Sequence, residues 1–234
     1  MLRDAGHLEE NCAKVPMLAN CSGHQFKDKP LMRHTIALLL FSGLLAMPAL
    51  AAPDTDTDTD TDKQAMTREA KSVTGELVSE LGGALKKALA ESGPDGAITV
   101  CRDIAPELAN ALSLRTGWKV TRVSLKPRNP MIGQPDAWEQ TILQQFDEAA
   151  KGGADAGKLV AAEIVSEPDG DYFRFMKALP VKPLCLTCHG SGQRVSASVQ
   201  ETLAREYPHD KATGYYAGQI RGAVTIKRKL EATN

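Results

Sequence analysis

The feature that most constrains this chain of 234 residues is the run Cys185-Leu186-Thr187-Cys188-His189. C-x-x-C-H is the spacing by which c-type haem is attached to a protein. Two thiols add across the two vinyl groups of a haem and form thioethers, and the two-residue gap lets both sulfurs reach the vinyl groups from one turn of chain. The adjacent histidine then lies beneath the iron and supplies an axial nitrogen. We therefore predict Cys185 and Cys188 as the covalent attachment points and His189 as the proximal iron ligand.

Two other kinds of site use the same cysteine spacing. A zinc ion needs four ligands, and beyond the pair the predicted mature chain offers only His189, His209 and Cys101, with no second C-x-x-C. A redox-active dithiol or a structural disulfide also uses C-x-x-C, but the sequence around Cys185 lacks the aromatic context of thioredoxin-type motifs. Haem fits the run better than either alternative, so we predict one covalently bound haem c.

Residues 32–52 have the composition of a secretory signal peptide. Met32-Arg33-His34 is a short positive segment, an apolar segment follows it, and Ala49-Leu50-Ala51 is a small-residue cleavage site. The apolar stretch Thr35–Met47 is too short to span a membrane comfortably, and a retained anchor is the alternative. We expect export to the periplasm by a Sec-type signal and no stable membrane insertion after cleavage.

Composition divides the rest of the chain into three segments. Residues 1–31 precede the signal and lack a periodic apolar pattern, so we expect translation to start at Met32 and these residues to be an upstream extension. Residues 53–62 are a proline followed by alternating aspartate and threonine. They contain nothing apolar to bury, which predicts a disordered linker. Residues 63–234 are predicted to form one globular domain.

Apolar residues recurring at three- and four-residue steps predict four helices in this domain. They are expected over Lys63–Ser92, Ala97–Leu114, Pro135–Ala150 and Ser196–Glu206. Gly93-Pro94 should end the first helix, and Pro106 should kink or restart the second.

Alternating apolar and polar residues predict four strands. They are expected over Trp118–Leu125, Leu159–Glu167, Tyr172–Leu179 and Ala217–Lys227. Pro168-Asp169-Gly170 is a turn signal that should join the second and third strands as a hairpin. Two helices followed by a mainly antiparallel sheet with helical insertions predict an α+β fold.

A single haem has a second axial position, and the residues leave its ligand open. The candidates are nitrogen or sulfur donors on a separate element: the imidazole of His209, the thioethers of Met131 and Met176, and the thiol of Cys101. Cys101 falls on the apolar face of the second predicted helix, where a buried small hydrophobe is the ordinary role of a free cysteine. An unpaired thiol is nevertheless unusual in an oxidising compartment, and iron ligation would hold it as a thiolate and protect it.

Several separate runs, in a fixed order, carry a resemblance to a known family. They are Val100-Cys101-Arg102 with Ala105-Pro106, Arg122–Pro130, Pro135–Glu139, Tyr172–Lys177, Cys185–Gly190, and Ala212–Tyr215 with Gly218–Ala223. In these runs the chain resembles the exported c-type-haem-binding domains with a PAS-like fold, formerly a domain of unknown function. The resemblance covers residues 65–227, nearly all of the predicted mature chain.

The resemblance implies a PAS-like antiparallel sheet packed on a long N-terminal helix, with a single haem bound on one side by histidine and cysteine. The cysteine of the Val-Cys-Arg run is then the distal iron ligand, and here that residue is Cys101. Haem propionates are anionic and usually meet arginine or lysine. Basic residues in the matching runs are therefore candidates to hold them: Arg122, Arg128, Arg174 and Lys177.

Two functions are compatible with one haem that has both axial ligands from the protein. The first is a haem-based redox or ligand sensor, whose thiolate ligand is exchanged on reduction or on binding a gas. The second is a soluble periplasmic electron-transfer cytochrome. A peroxidase needs an open iron and a distal acid–base pair, and only His209 is available, so we expect no enzymatic activity. The net charge of −1 gives no electrostatic case for a nucleic-acid partner. For either function we expect an unidentified redox or signalling protein as the partner.

Overall fold

A computed structural model describes residues 55–231, with side chains from residue 60 onward. The predicted upstream extension (1–31) and signal peptide (32–52) lie outside the described residues, as do the first two residues of the predicted linker. Within the described range, N-terminal helices cover one face of a four-stranded antiparallel sheet and a further helix covers the other.

The N-terminal helix, α1 (Thr55–Thr99), is broken at Gly93, where φ is 68° and ψ is −173°. Glycine adopts a positive φ at little steric cost, and Pro94 is well suited to the first turn of the helix that resumes there. The predicted stop after Ser92 is therefore confirmed as a break, although the chain returns to helix directly afterwards.

The start of α1 differs from the sequence prediction. The helix begins at Thr55 rather than Lys63, so the Thr/Asp tract is helical where we expected a disordered linker. Carboxylates are favourable in the first turns of a helix because they oppose the positive end of its dipole. Gln64 also ties the tract to the helix that follows, because its Nε2 donates to Asp60 Oδ2 at 3.0 Å.

A π-helical turn, Val100–Ile104, follows α1 and leads directly into α2 (Ala105–Thr116). Pro106 lies in the first turn of α2, so the expected kink is a restart of the helix. Gly117 ends α2 in the left-handed conformation, and its N–H donates to Ser113 O at 2.9 Å.

The sheet has the order β1-β4-β3-β2, and every neighbouring pair is antiparallel. Its strands are β1 (Lys119–Val123), β2 (Val160–Glu167), β3 (Gly170–Pro180) and β4 (Ile220–Lys229). The predicted hairpin is present, because β2 and β3 pair as far as Glu167 with Gly170. The predicted α+β fold with an antiparallel sheet and a long N-terminal helix is confirmed.

Alternation along β3 sends its side chains to two different cores. Phe173 and Phe175 pack with α1 and α2 on one face, where Trp118 contacts Phe173 at a ring-centroid distance of 6.2 Å. Met176 and Ala178 point to the other face, where they pack against α4 (Ala137–Lys151). Both faces of this central strand are therefore buried.

The remaining elements are short, except for α4. α3 (Pro130–Gly133) precedes α4, and α5 (Leu186–His189) and α6 (Ala197–Glu206) follow β3, with 3-10 turns at Ala156–Lys158, Pro183–Cys185 and Gly192–Arg194. Asp136 and Glu139 form a capping box at the start of α4, each side chain accepting from the other's backbone N–H at 2.9 Å. Within residues 55–231, no helix has both the length and the apolar character that a membrane span requires.

Arg174 is the charged centre of the α4 face. Its guanidinium is 2% exposed and forms ion pairs with Asp136 at 2.6 Å, Glu139 at 3.3 Å and Glu167 at 2.9 Å. It also lies over the Trp138 ring, 4.7 Å from its centroid. The network ties α4 to the β2–β3 hairpin.

Replacing Arg174 by methionine should destabilise the fold, because the buried Glu139 and the partly exposed Asp136 and Glu167 lose their buried cation. Breaking a buried pair costs about 3 kcal/mol, so we expect Arg174→Met to lower the free energy of unfolding by about that amount in urea denaturation at pH 7. The same change at the exposed Arg228 is the control and should alter it by less than about 1 kcal/mol. Equal losses from the two variants would contradict the role given to Arg174.

The same network predicts the direction of an acid effect. The hydrogen bond from Lys227, followed by that from Arg174, holds the pKa of Glu167 below its ordinary value. A carboxyl group whose pKa is lowered by folding adds stability above its unfolded pKa, and this stability is lost as the pH falls through the folded pKa. We expect the urea concentration at the midpoint of unfolding to fall as the pH is lowered from about 6 to about 3. This fall should be steeper in the native chain than in Arg174→Met.

Candidate functional site

A cavity of about 1160 Å³ lies between α1 and the end of the sheet from which α5 emerges. Cys101, Cys185, Cys188 and His189 all line it. Ligand sites in proteins commonly have volumes of roughly 300–1,000 Å³, so the space suits a large cofactor. The structure thus brings together the four residues that the sequence predicted as haem attachment points and iron ligands.

A second cavity of about 750 Å³ adjoins the first on the side of α2 and β1. The two cavities share Cys101, Arg122, Arg128, Leu179, His189 and Arg221. They therefore meet where the predicted axial ligands lie, and a group bound in the larger cavity has further space beyond Cys101.

The orientation of His189 is fixed by the loop that precedes β4. Its Nδ1 lies 2.6 Å from Ala212 O, a contact in which Nδ1–H donates to the carbonyl. This bond selects the tautomer whose Nε2 carries the lone pair. In this structure Arg221 Nε lies 3.4 Å from Nε2 as its hydrogen-bond donor, a contact that a metal bound at Nε2 would replace. Burial lowers the pKa of His189 well below its ordinary value, and Arg221 and Arg128 lower it further. The imidazole is therefore neutral, which is the form that binds iron.

The backbone around His189 is held at three further points. Tyr215 N donates to His189 O at 2.9 Å, and Gly214 N donates to Gly190 O at 2.9 Å. Arg128 Nη2 donates to Cys188 O at 2.7 Å. Burial raises the pKa of the Cys188 thiol. The second cysteine and the histidine of the run are thus positioned by contacts from two separate loops.

Cys101 reaches the cavity from the π-helical turn Val100–Ile104. Its side chain is half-buried. The neighbouring Arg102 anchors the turn to α6, because its Nη1 donates to Glu206 Oε2 at 2.5 Å. The other three candidates for the second axial position do not line the cavity: His209 is exposed, Met131 is 88% exposed, and Met176 is buried on the α4 face.

The lining has features that a bound flat, anionic group would use. Thr74 Oγ1 is buried and, among the described residues, has no hydrogen-bond partner. A Cβ added at Gly75 or Gly82 of α1 would meet nothing within 4 Å, so space remains above this face of the helix. Thr74 and both glycines line the larger cavity. The donor set, the space and the unpaired hydroxyl therefore fit a porphyrin.

Two of the four predicted propionate-binding residues are free to serve that role. Arg122 lines both cavities and makes no hydrogen bond or ion pair with the described residues, and burial lowers the pKa of its guanidinium. Lys177 lines the larger cavity, where its Nζ donates to Gly157 O. Both cations could pair with a carboxylate of a ligand in the cavity.

The other two propionate candidates are already engaged. Arg128 is 7% exposed and pairs with Asp210 at 3.1 Å while it holds Cys188 O, so its guanidinium supports the C-x-x-C-H backbone. Arg174 lies on the opposite face of the sheet, and three carboxylates surround it. The prediction for Arg174 is wrong because β3 is buried on both faces, so the sequence pattern does not indicate which face each side chain joins.

Arg221 is the residue of the site that sequence reasoning missed. Its Nε lies 3.3 Å from Nδ1 and 3.4 Å from Nε2 of His189. Ser124 holds it in place, because Arg221 Nη1 donates to Ser124 Oγ at 3.0 Å and Ser124 Oγ donates back to Arg221 O at 2.7 Å. The available signal was an arginine between Ile220 and Gly222, at the apolar start of the strand and away from the basic residues at its end.

The arrangement of these side chains does not favour a zinc site. Among residues 60–231, no group of three or more histidine, cysteine or acidic side chains is placed to hold a metal ion. Cys101 and the Cys185–Cys188 pair come from separate segments and line one large cavity, whose volume suits a bulky cofactor better than a bare ion.

Comparison with known proteins places the chain in a family. The family model for Tll0287-like proteins matches residues 51–228, and the chain belongs to that family. A crystal structure of the cyanobacterial haem protein Tll0287 is 22% identical in sequence. The alignment covers 78% of this chain and 100% of that one, with a TM-score of 0.48. A search of curated proteins found no significant match.

Gly190 should be intolerant of any side chain. A Cβ at this position would lie 2.5 Å from the backbone oxygen of Leu186 and 3.1 Å from Arg194 Cβ. We expect Gly190→Ala to lower the free energy of unfolding by about 1–3 kcal/mol, the usual cost of overpacking, as measured by urea denaturation. The control is Gly83→Ala, whose Cβ meets nothing within 4 Å and which should be neutral or stabilising by up to about 1 kcal/mol. If Gly190→Ala is as stable as the control, the close approach is not a constraint.

Proposed function

We propose that this chain is an exported protein with one covalently attached haem c and that it acts as a haem-based redox or ligand sensor. The observation that carries the proposal is that one cavity gathers the Cys185–Cys188 pair, the imidazole of His189 with its lone pair on Nε2, and a third thiol from Cys101. Membership of the Tll0287-like family agrees with it, because the protein that gives the family its name is described as a haem protein.

Each part of the site has a separate task in this proposal. Cys185 and Cys188 form the thioethers, and His189 ligates iron through Nε2 while Ala212 O holds its Nδ1–H. Cys101 supplies a thiolate on the distal side, and Arg122 pairs with a propionate. A haem bound in this way supplies a one-electron iron couple with protein ligands at both axial positions.

The element that carries Cys101 supports a sensing role. π-helical turns are rare and are found frequently at functional sites. This one follows the break at Gly93 and joins the end of α1 to the start of α2. The smaller cavity adjoins Cys101, so its side chain has space to move away from the iron or to admit a small ligand. A ligand on such a turn can be exchanged with little disturbance to the sheet.

The proposal includes several properties that accompany this role. We propose that the sheet is of the PAS-like type, that the protein is periplasmic, that it has no enzymatic activity and that its output passes through a redox or signalling partner. Electron transfer is the alternative function, favoured by the half-buried attachment cysteines and by Leu184, which is 46% exposed next to Cys185. A haem attached there lies close to solvent, as outer-sphere transfer requires.

The basic test is for covalent haem. We expect the exported, purified protein to give a c-type pyridine haemochrome spectrum with one haem per chain, retained after extraction with acidified acetone. Cys185→Ser/Cys188→Ser should lose the extraction-resistant haem, whereas Met131→Leu, a change at an exposed thioether, should keep it. A native protein whose haem extracts completely would end the proposal.

The distal ligand is tested by Cys101→Ala. We expect this variant to keep its covalent haem and to lose the thiolate signature in its electronic absorption and electron paramagnetic resonance spectra. Reduction of the native protein should also remove that signature if Cys101 is exchanged, which separates a sensor from an electron carrier of constant ligation. Identical spectra for the native protein and Cys101→Ala would exclude the thiolate.

Arg221 should raise the reduction potential, because a cation beside His189 stabilises the iron state that has gained an electron. Arg221→Met is expected to lower the midpoint potential by about 100 mV, the scale of a charge–charge interaction over several ångströms at an effective dielectric constant near 20. Arg221→Lys should restore part of the shift. Arg228→Met, at the exposed far end of β4, is the matched control, and spectroelectrochemical titration is the measurement. Equal midpoints in all four proteins would show that the charge of Arg221 does not act on the iron.

A further inference from the structure

The walls of the larger cavity carry charge of only one sign. Eight lysine or arginine residues line it, and among the described residues no aspartate or glutamate does. Three of the eight are the arginines already described beside the predicted ligands. The other five are lysines nearer the solvent: Lys71, Lys86, Lys158, Lys177 and Lys182. A haem has two carboxylates, so most of this charge remains after the cofactor is bound.

The lysines are too widely spread for one small anion to contact them all. Lys71 and Lys86 both lie on α1 before its break, and at 1.5 Å per residue they are about 22 Å apart along the helix axis. Lys158, Lys177 and Lys182 come from the opposite wall, in a 3-10 turn, in β3 and just before the C-x-x-C-H run. The distance over which these lysines are spread is that of a contact with a macromolecule.

These side chains are available for contact. Lys71 and Lys86 are exposed and make no hydrogen bond or ion pair with the described residues. Lys158 has only an exposed ion pair with Asp155 at 3.6 Å, and such pairs contribute little. Lys177 Nζ donates to the backbone oxygen of Gly157, which leaves its charge without an ion pair. Among the described residues, one of the five rim lysines therefore has an ion pair, and it is an exposed one.

Apolar side chains lie among the lysines. Val78 is 43% exposed, Val160 is 38% exposed and Leu184 is 46% exposed, and all three line the same cavity. Protein interfaces typically have an apolar centre within a polar rim. Leu184 directly precedes Cys185, so a partner in contact with it would lie next to the attachment edge of the cofactor.

We propose that this lysine rim, the five lysines with Val78, Val160 and Leu184, docks a protein partner whose contact face is acidic around a small apolar centre. The charges steer such a partner to the cavity mouth, and the apolar side chains supply the close contact. Exposed apolar side chains set among charged ones match the composition of a protein interface, which has an apolar centre and a polar rim. Only the purpose of the contact rests on the proposed function: the partner would exchange an electron or a signal at the haem edge.

The test uses a fluorescein-labelled peptide of ten glutamates as the acidic probe and the purified holoprotein at low ionic strength. Fluorescence anisotropy should report binding that weakens as salt is added. Replacing Lys71, Lys86 and Lys182 together by glutamine should weaken binding about tenfold, the sum of three exposed charge pairs. Lys229→Gln is the matched control and should bind within about twofold of the native protein, because Lys229 ends β4 about 26 Å of strand away from Arg221.

A triple variant that binds the peptide as tightly as the native protein would overturn the inference. If that variant also loses binding to phosphatidylglycerol vesicles in sedimentation, the rim is assigned to a membrane surface instead. Anisotropy needs no signal from haem, so a failure of the rim is distinguishable from a failure of covalent haem attachment in the haemochrome test.

A redox measurement tests whether the rim lies at the electron-transfer edge. The reduced protein should be oxidised by hexacyanoferrate(III), an anion, with a rate constant that falls as salt is added, and by tris(bipyridine)cobalt(III), a cation, with one that rises. The triple variant should flatten both dependences, whereas Lys229→Gln should not. Native dependences that are flat, or that have the opposite signs, would contradict a docking surface at that edge.

Discussion

The hydrogen bond between His189 Nδ1 and Ala212 O is the interaction on which the site depends. It fixes the ring and selects the tautomer whose Nε2 carries the lone pair, so one 2.6 Å contact determines which nitrogen of the imidazole can ligate. The bond in turn depends on the loop before β4, which also binds the backbone of His189 and Gly190 through Tyr215 and Gly214. Because β4 is a central strand of the sheet, the loop that holds His189 is anchored to the middle of the fold.

The segment that carries Cys101 is held in a different way. Cys101 lies in a π-helical turn between a broken helix and a restarted one, and the partly exposed Arg102–Glu206 pair joins this turn to α6. Exposed pairs contribute little to stability, so the buried Ile98 and Val100 beside the turn supply most of its attachment. Under the proposed ligation, a loop beside the sheet would position the histidine and a turn between two helices would position the cysteine.

Local patterns predicted the elements and the motif, while contacts between distant segments had to come from the structure. The helix break at Gly93, the β2–β3 hairpin and the C-x-x-C-H run are encoded within a few neighbouring residues each, so periodicity and turn chemistry were enough to find them. Arg174 and Arg221 show where this fails. Each is an arginine in an apolar strand, yet one faces the carboxylates beside α4 and the other faces His189. That difference is decided by strand register and by which helix covers each face, neither of which the sequence pattern specifies.

The net charge of −1 conceals a separation of charge across the sheet. On the α4 face, Asp136, Glu139 and Glu167 surround a buried arginine and are neutralised within the fold. On the α1 face, the cavity gathers cations with no carboxylate among the described lining residues. Burying uncompensated cations is costly, and the lowered pKa values of Arg122 and Arg221 reflect that cost. An anionic cofactor would offset this cost within the cavity. The positive charge left at the cavity mouth would then attract anionic groups that approach the cofactor. Cofactor binding and partner choice are thus two consequences of the same charge distribution.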